Sequence, residues 1–169
     1  NMGAPSTRDV IDAITRMRWG GVRHSINGIP TGTSYRVDWG DTKSQKGFET
    51  NDRGVFEAVT DRLFRAAGWK VLGDLLQTLK RGGTVRIGSA TFADPYVVLT
   101  RTHWLAADEP VRVKWNELRI GSANGYLVLT KRDEPKVSAA LSYRDDDNVH
   151  LVEMAIRQFF KNSKPNISS

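Results

Sequence analysis

The chain has no cysteine in its 169 residues, which excludes disulfide scaffolds, thiolate zinc centres and cysteine nucleophiles together. It also lacks any apolar run near the roughly 20 residues that cross a bilayer as a helix. No secretory leader is expected, because Asn1 to Thr15 carries Asp9 and Asp12 and has no unbroken apolar core. Asn1 ahead of Met2 reads as an expression scar, and the natural chain is expected to extend further at that end. Charge of one sign is nowhere concentrated. The net charge is +6, yet residues 1–50, 51–82 and 83–145 carry +2 each, and residues 146–169 balance to zero. A slightly basic, solvated surface accounts for that spread, so nucleic acid is not the expected partner.

The motifs of common chemistries are missing too. His24, His103 and His150 are too far apart in sequence to form a metal-ligand pair, and no His-Glu pair occurs. No Gly-x-Ser-x-Gly elbow is present, and Ser89 and Ser122 follow glycine at the ends of expected strands. Gly20-Gly21 and Gly82-Gly83 fit no phosphate loop, and Gly82-Gly83 closes a helix rather than opening one. Asp145-Asp146-Asp147-Asn148 lacks the Gly and the distant Glu of an EF-hand. It reads as a turn leading into a helix cap, with a looser oxygen site as the alternative. We therefore expect no catalytic residue, no metal and no cofactor.

What is present is periodicity. Val55, Phe56, Val59, Leu63 and Phe64 recur at spacings of three and four and predict a helix over Asn51 to Arg65, capped by Asn51 or Asp52. Leu72, Leu75, Leu76 and Leu79 predict a second helix over Trp69 to Arg81, with Gly68 breaking or bending the join. Strand patterns follow at Thr84–Ile87, Tyr96–Thr100, Val111–Trp115, Leu118–Ile120, Tyr126–Thr130 and Val137–Tyr143. Ser89 to Asp94 is expected as the loop of the first of these hairpins, and Asp133-Glu134-Pro135 as the turn before the final strand. Val10 to Met17 is expected as strand, with a short helix capped by Thr7 as the alternative. A last helix enters near Asp147 or Asn148 and shows a broad apolar face of Leu151, Val152, Ala155, Ile156, Phe159 and Phe160. The tail from Asn162 to Ser169 is polar and expected to be loose.

The pattern also repeats. Arg16-Met17-Arg18-Trp19-Gly20-Gly21-Val22 is matched by Arg112-Val113-Lys114-Trp115-Asn116-Glu117-Leu118. Each block is followed by an Asn-Gly turn (Asn27-Gly28, Asn124-Gly125), a strand opening on Tyr35 or Tyr126, and a helix entered through Asn51-Asp52 or Asp147-Asn148. The pattern predicts that Trp19 and Trp115 pack alike, each on a strand with basic neighbours, beneath a closing helix.

Hairpins ending in one closing helix resemble the pleckstrin-homology-like (PH-like) fold. Trp115-Asn116-Glu117-Leu118 before an Asn-Gly hairpin, and a helix entered at Asp147-Asn148, are similar to bacterial PH-like domains of unassigned function. The resemblance implies an α+β chain of antiparallel PH-like barrel or sheet units, each closed by a C-terminal helix and joined by a helical segment. Its divisions would be a partial unit at 1–66, a connecting helix at 67–82, a complete unit at 83–161 and a flexible tail at 162–169. Only 18 residues precede Trp19, too few for the four strands a full first unit needs. The implied role is a non-enzymatic binding or regulatory module with a protein or peptide partner, which a second copy of the chain could be. The implied place is cytoplasmic, as the soluble part of a membrane protein. Anionic lipid headgroup binding is the second expectation and a hydrolase on a β-rich scaffold the third. The candidate ligand-binding set is Arg112, Lys114, Arg119, Lys131 and Arg132, expected on neighbouring strands. Trp104 and Tyr96 are the aromatics near it, and both fit a core equally well.

Overall fold

The computed structural model describes residues 7–103 and 106–162. Trp104, the tail from residue 163 and the side chains of Phe159 and Phe160 lie outside the described residues. The chain is α+β, with two curled antiparallel sheets, a central helical segment and a C-terminal helix.

The first sheet has the order β1-β2-β3, from β1 (Arg16–Ile26), β2 (Ile29–Gly40) and β3 (Gln45–Thr50). Asn27 and Gly28 turn the first hairpin at φ 51° and 82°, the conformation that a two-residue turn of matching twist requires. Ahead of β1, Thr7–Asp12 forms the short helix α1, so the strand expected from Val10 begins only at Arg16. After β3 comes α2 (Arg53–Leu63), where the Asp52 carboxylate accepts the Val55 N–H at 3.0 Å. A π turn, Phe64–Gly68, carries it into α3 (Trp69–Lys80). The helix therefore does not break at Gly68, and the irregularity at the join is the π turn that Gly68 ends. Gly68 holds ordinary helical angles, and a Cβ there would run into the Phe64 ring, so close packing explains the glycine. The helical segment runs from Arg53 to Lys80, and the boundary expected at 66/67 falls inside it.

The second sheet begins with a four-strand meander: β4 (Val85–Ile87), β5 (Ala90–Phe92), β6 (Tyr96–Arg101) and β7 (Glu109–Lys114). A three-strand meander follows, of β8 (Leu118–Ala123), β9 (Tyr126–Lys131) and β10 (Glu134–Ser142). β5 occupies the segment expected as a loop, and Pro135 lies within β10 rather than in the turn before it. The two meanders join where Val137 and Ser138 pair with Arg101 and Thr100, and beside them the Thr102 N–H donates to the Lys136 carbonyl at 3.1 Å. A register shift in β10 between Glu134 and Ser138 lies beside that join, and such bulges bend a sheet. The curl encloses Phe92, Val97, Leu99, Val113, Leu118, Leu127, Leu129 and Leu141, all fully buried.

Helix α4 (Val149–Asn162) closes both halves. Val149, Val152 and Ile156 enter the core of the second sheet. Leu151 turns the other way and packs with Ile14, Met17, Ala67, Val71 and Leu72. The first sheet has α2 against β2 and β3, with Phe56 stacked on Tyr35 at 4.7 Å, but α2 buries no residue fully, and the α4 residue buried there is Leu151. Asn148 fastens the arrangement. Its side chain does not cap α4. Instead Met17 N–H donates to its Oδ1 at 3.0 Å, its Nδ2 donates to the Thr15 carbonyl at 3.1 Å, and its own N–H donates to the Met17 carbonyl at 2.7 Å. Those bonds satisfy the outer edge of β1 where it is buried, and hold Asn148 at φ 64°.

The expected likeness of the two tryptophans fails. Trp19 sits within β1, its indole stacked on His150 at 4.4 Å. Trp115 instead opens a 3-10 turn (Trp115–Glu117) between β7 and β8, stacks on Phe92 at 6.3 Å, and donates its indole N–H to the Asp94 carbonyl. What recurs is the order of elements: β1-β2-β3-α2 in one half, β8-β9-β10-α4 in the other.

Candidate functional site

Because α4 is shared, its outer flank leaves a groove beside the second sheet. Leu76 and Leu79 of α3 form one wall, and Val152, Ala155 and Ile156 of α4 the other. Trp115 forms the floor, above the fully buried Phe92, and Lys80 and Asp94 are the two charged lining residues. The volume is about 220 Å³, enough for one large side chain. Leu76 stays exposed although its helix face is apolar. A site of this kind binds by removing apolar surface from water, with polar groups for orientation. A second, more polar cleft of about 260 Å³ lies between α1 and the β2–β3 corner, with Trp39, Asp41 and Lys46 in its lining. Asp41 is occupied there with the turn, accepting the Lys43 and Ser44 N–H groups.

Where β8 meets α4 the side chains are polar. Tyr143 Oη donates to Glu153 Oε2 at 2.6 Å, and Ser122 Oγ donates to Glu153 Oε1 at 3.0 Å. Arg157 donates to Glu153 at 2.7 Å and to Ser122 Oγ at 3.1 Å. Burial works to raise the Glu153 pKa, but the bonds from Tyr143, Arg157 and Ser122 outweigh it and hold the carboxyl below its ordinary value. Burial, then the bond to Glu153, pushes the Tyr143 phenol up. His150 is sandwiched between Trp19 and Tyr143, and its Nε2 lies 2.8 Å from the Trp19 carbonyl. Burial lowers its pKa, against the weaker pull of that carbonyl and Glu153. An ionised carboxylate, a protonated phenol and an imidazole committed to a backbone carbonyl leave Ser122 without an adjacent free base. The cluster clamps β8 to α4.

The acidic turn is likewise absorbed by the fold. The Ser142 N–H donates to Asp146 and the Ser142 hydroxyl to Asp145, each at 2.8 Å, while Asp147 lies 3.7 Å from both Arg16 and Arg18. No group of three metal-ligating side chains occurs among the described residues. None of their helices is long and apolar enough to cross a membrane.

The five basic residues expected together are dispersed. β7 borders β6, so Arg112 and Lys114 stand apart from Arg119 and Lys131, whose strands β8 and β9 are neighbours in the sheet. Arg112 lies over the Tyr96 ring at 4.8 Å, and Lys114 follows on the same exposed face of β7. Arg119 pairs with Thr130 and Lys131 with Leu118, which puts Arg119 and Lys131 on opposite faces of the sheet. Lys131 meets Glu134 at 3.5 Å, and Arg132 donates to the Leu118 carbonyl at 3.1 Å. The groove residues were visible in the sequence only as helix and strand apolar faces. The one signal of a groove was the α4 stripe, broader than a single sheet needs. Compared with known proteins, the chain matches no family model, no curated protein and no solved structure.

Proposed function

We propose that the chain is a non-enzymatic binding module with a PH-like second half, taking an apolar side chain from a protein or peptide partner. The observation that carries this reading is the α3–α4 groove, floored by Trp115 and open to solvent beside the exposed Leu76. Apolar pockets with one or two orienting charges are common anchor points for partner residues. A four-strand meander, a three-strand meander and a closing helix, in that order, support the PH-like layout. β8 is a sheet edge with β9 as its ladder partner, so a peptide anchored nearby could add a strand there. A cytoplasmic position as the soluble part of a membrane protein belongs to the same reading.

Selection of random peptides on the full chain tests it, with Ala155→Trp, which fills the groove, as the comparison protein. Peptides carrying a Trp, Phe or Leu anchor should be enriched and should bind the variant at least about tenfold more weakly. Peptides that bind both proteins equally, or no enrichment at all, would refute the groove as the site.

A further inference from the structure

The two most exposed large apolar side chains in the described molecule stand side by side. Ile26 is 65% exposed and Ile29 68%, and they pair directly across the Asn27-Gly28 turn. They tip an arm. β3 reaches no further along β2 than the Tyr35–Thr50 pair, so from Val22 to Ser34 the β1–β2 ribbon has no third strand. At about 3.3 Å per residue the ribbon projects on the order of 15 Å past the sheet. The positive φ angles of both turn residues make the tip a tight turn rather than a loose loop.

The projecting part of the ribbon, from Val22 to Ser34, carries one arginine and no Asp or Glu, and the ribbon's Asp38 lies at its base. Arg16, Arg18 and Arg36 are engaged by Asp147 and Asp38 at the base. Arg23, nearer the tip, has no ion pair among the described residues, and His24 beside it touches the Ser34 hydroxyl at 2.8 Å. The arrangement runs from paired cations at the base, through an unpaired cation, to an aliphatic tip.

We propose that the β1–β2 arm anchors the protein to an anionic lipid surface, Ile26 and Ile29 entering the boundary between headgroups and acyl chains while Arg23 faces the anionic headgroups. An apolar tip with a cation behind it matches the order of a bilayer interface from inside outward. Two other occupants fit less well. A nucleic acid needs many phosphate contacts or stacking aromatics, and this part of the arm offers Arg23, His24 and no Phe, Trp or Tyr. A second copy would bring an arm of the same positive sign against this one. The site is separate from the groove, so the proposal stands or falls independently of the peptide reading.

The test is cosedimentation of the full chain with phosphatidylcholine vesicles, with and without phosphatidylserine. The wild-type chain should partition about tenfold more strongly when phosphatidylserine is present, and Ile26→Ser with Ile29→Ser should lose about tenfold. Arg23→Glu should abolish the dependence on phosphatidylserine. Circular dichroism should show the fold retained in both variants, as the exposure of these side chains requires, and Ala155→Trp should bind vesicles normally. Binding that ignores phosphatidylserine, or survives both sets of substitutions, overturns the proposal. So does an oligonucleotide bound with the same dependence on these residues, or a dimer in light scattering that the double isoleucine variant abolishes.

Discussion

Two hairpins in this chain share one turn and are held in opposite ways. Asn27-Gly28 and Asn124-Gly125 have nearly the same angles, φ 51° and 82° against 51° and 83°. Helix α4 and the residue ahead of it grip the first hairpin at its base, through Asn148, His150 and Leu151. The helix grips the second near its tip, where Ser122 binds Glu153 and Arg157, and the Tyr143 N–H closes on the Gly125 carbonyl. The first is left with a free tip and the second with a tied one. A local turn code therefore specifies that a hairpin forms, while the place at which a shared helix holds it decides whether its end is available for contact.

The strongest way to break that comparison is to remove the grip on the base. Leu151 is fully buried among first-half residues, whereas Val152, its neighbour in sequence, faces the second core. Leu151→Ala should cost about 2–4 kcal/mol in urea unfolding, the usual range for a buried leucine that leaves a cavity. Hydrogen exchange should show the loss at Val37 and Asp38 of β2 at least as strongly as at Leu127 and Leu129 of β9. If β2 protection is unchanged in Leu151→Ala, the first sheet does not depend on α4.

A milder perturbation is proton uptake at the seam. His150 lies between Trp19 of one half and Tyr143 of the other, and burial depresses its pKa. Its unfolded value is about 6.5, so the chain takes up a proton on unfolding at a pH where the folded state resists it. The stability tied to the neutral ring is present above about pH 6.5 and falls away as the pH drops through the folded value. Asp38 and Glu153, whose pKa values are also lowered, act in the same direction but only in the range of ordinary carboxylates and below. Melting temperature should therefore drop between pH 7.5 and 5, and His150→Phe should flatten that part of the profile. An unchanged slope in the variant would show that the ring does not couple the halves through its charge.

Much of this frame was legible in the residues. Asp52 as a cap, the apolar faces of α2 and α3, and both Asn-Gly turns are local codes that need no tertiary knowledge. Where expectation failed, either the element was too short to show a period or the deciding contact was tertiary. Three-residue β5 is too short for a period to show, and the six residues of α1 do not separate helix from strand. Gly68 looks like a breaker until the Phe64 ring is placed above it. The broad stripe on α4 announces burial, but nothing local says that Leu151 and Val152 serve different cores. For the same reason the groove and the dispersal of the five basic residues were out of reach. The groove depends on where α3 and α4 lie against the second sheet, and the dispersal on which strands become neighbours in it.

The finest test of the two hairpins is at their glycines. Gly28 and Gly125 both sit in the left-handed region that alanine enters at a cost, and neither has a neighbouring atom that a Cβ would meet. The strain of Gly28→Ala and Gly125→Ala is therefore locally equal, about 1 kcal/mol. A difference in global stability must come from how each tip is tied. At Gly125, relief by fraying would give up the Tyr143 N–H bond and disturb the Ser122 contacts with α4, so the full cost should appear as a lower urea midpoint. At Gly28 the arm can open beyond Tyr35 without touching any core residue, and local opening should absorb most of the strain, leaving a few tenths of a kcal/mol. Equal midpoints for the two variants would mean that the first arm is as firmly held as the second, and the contrast drawn between them would be lost.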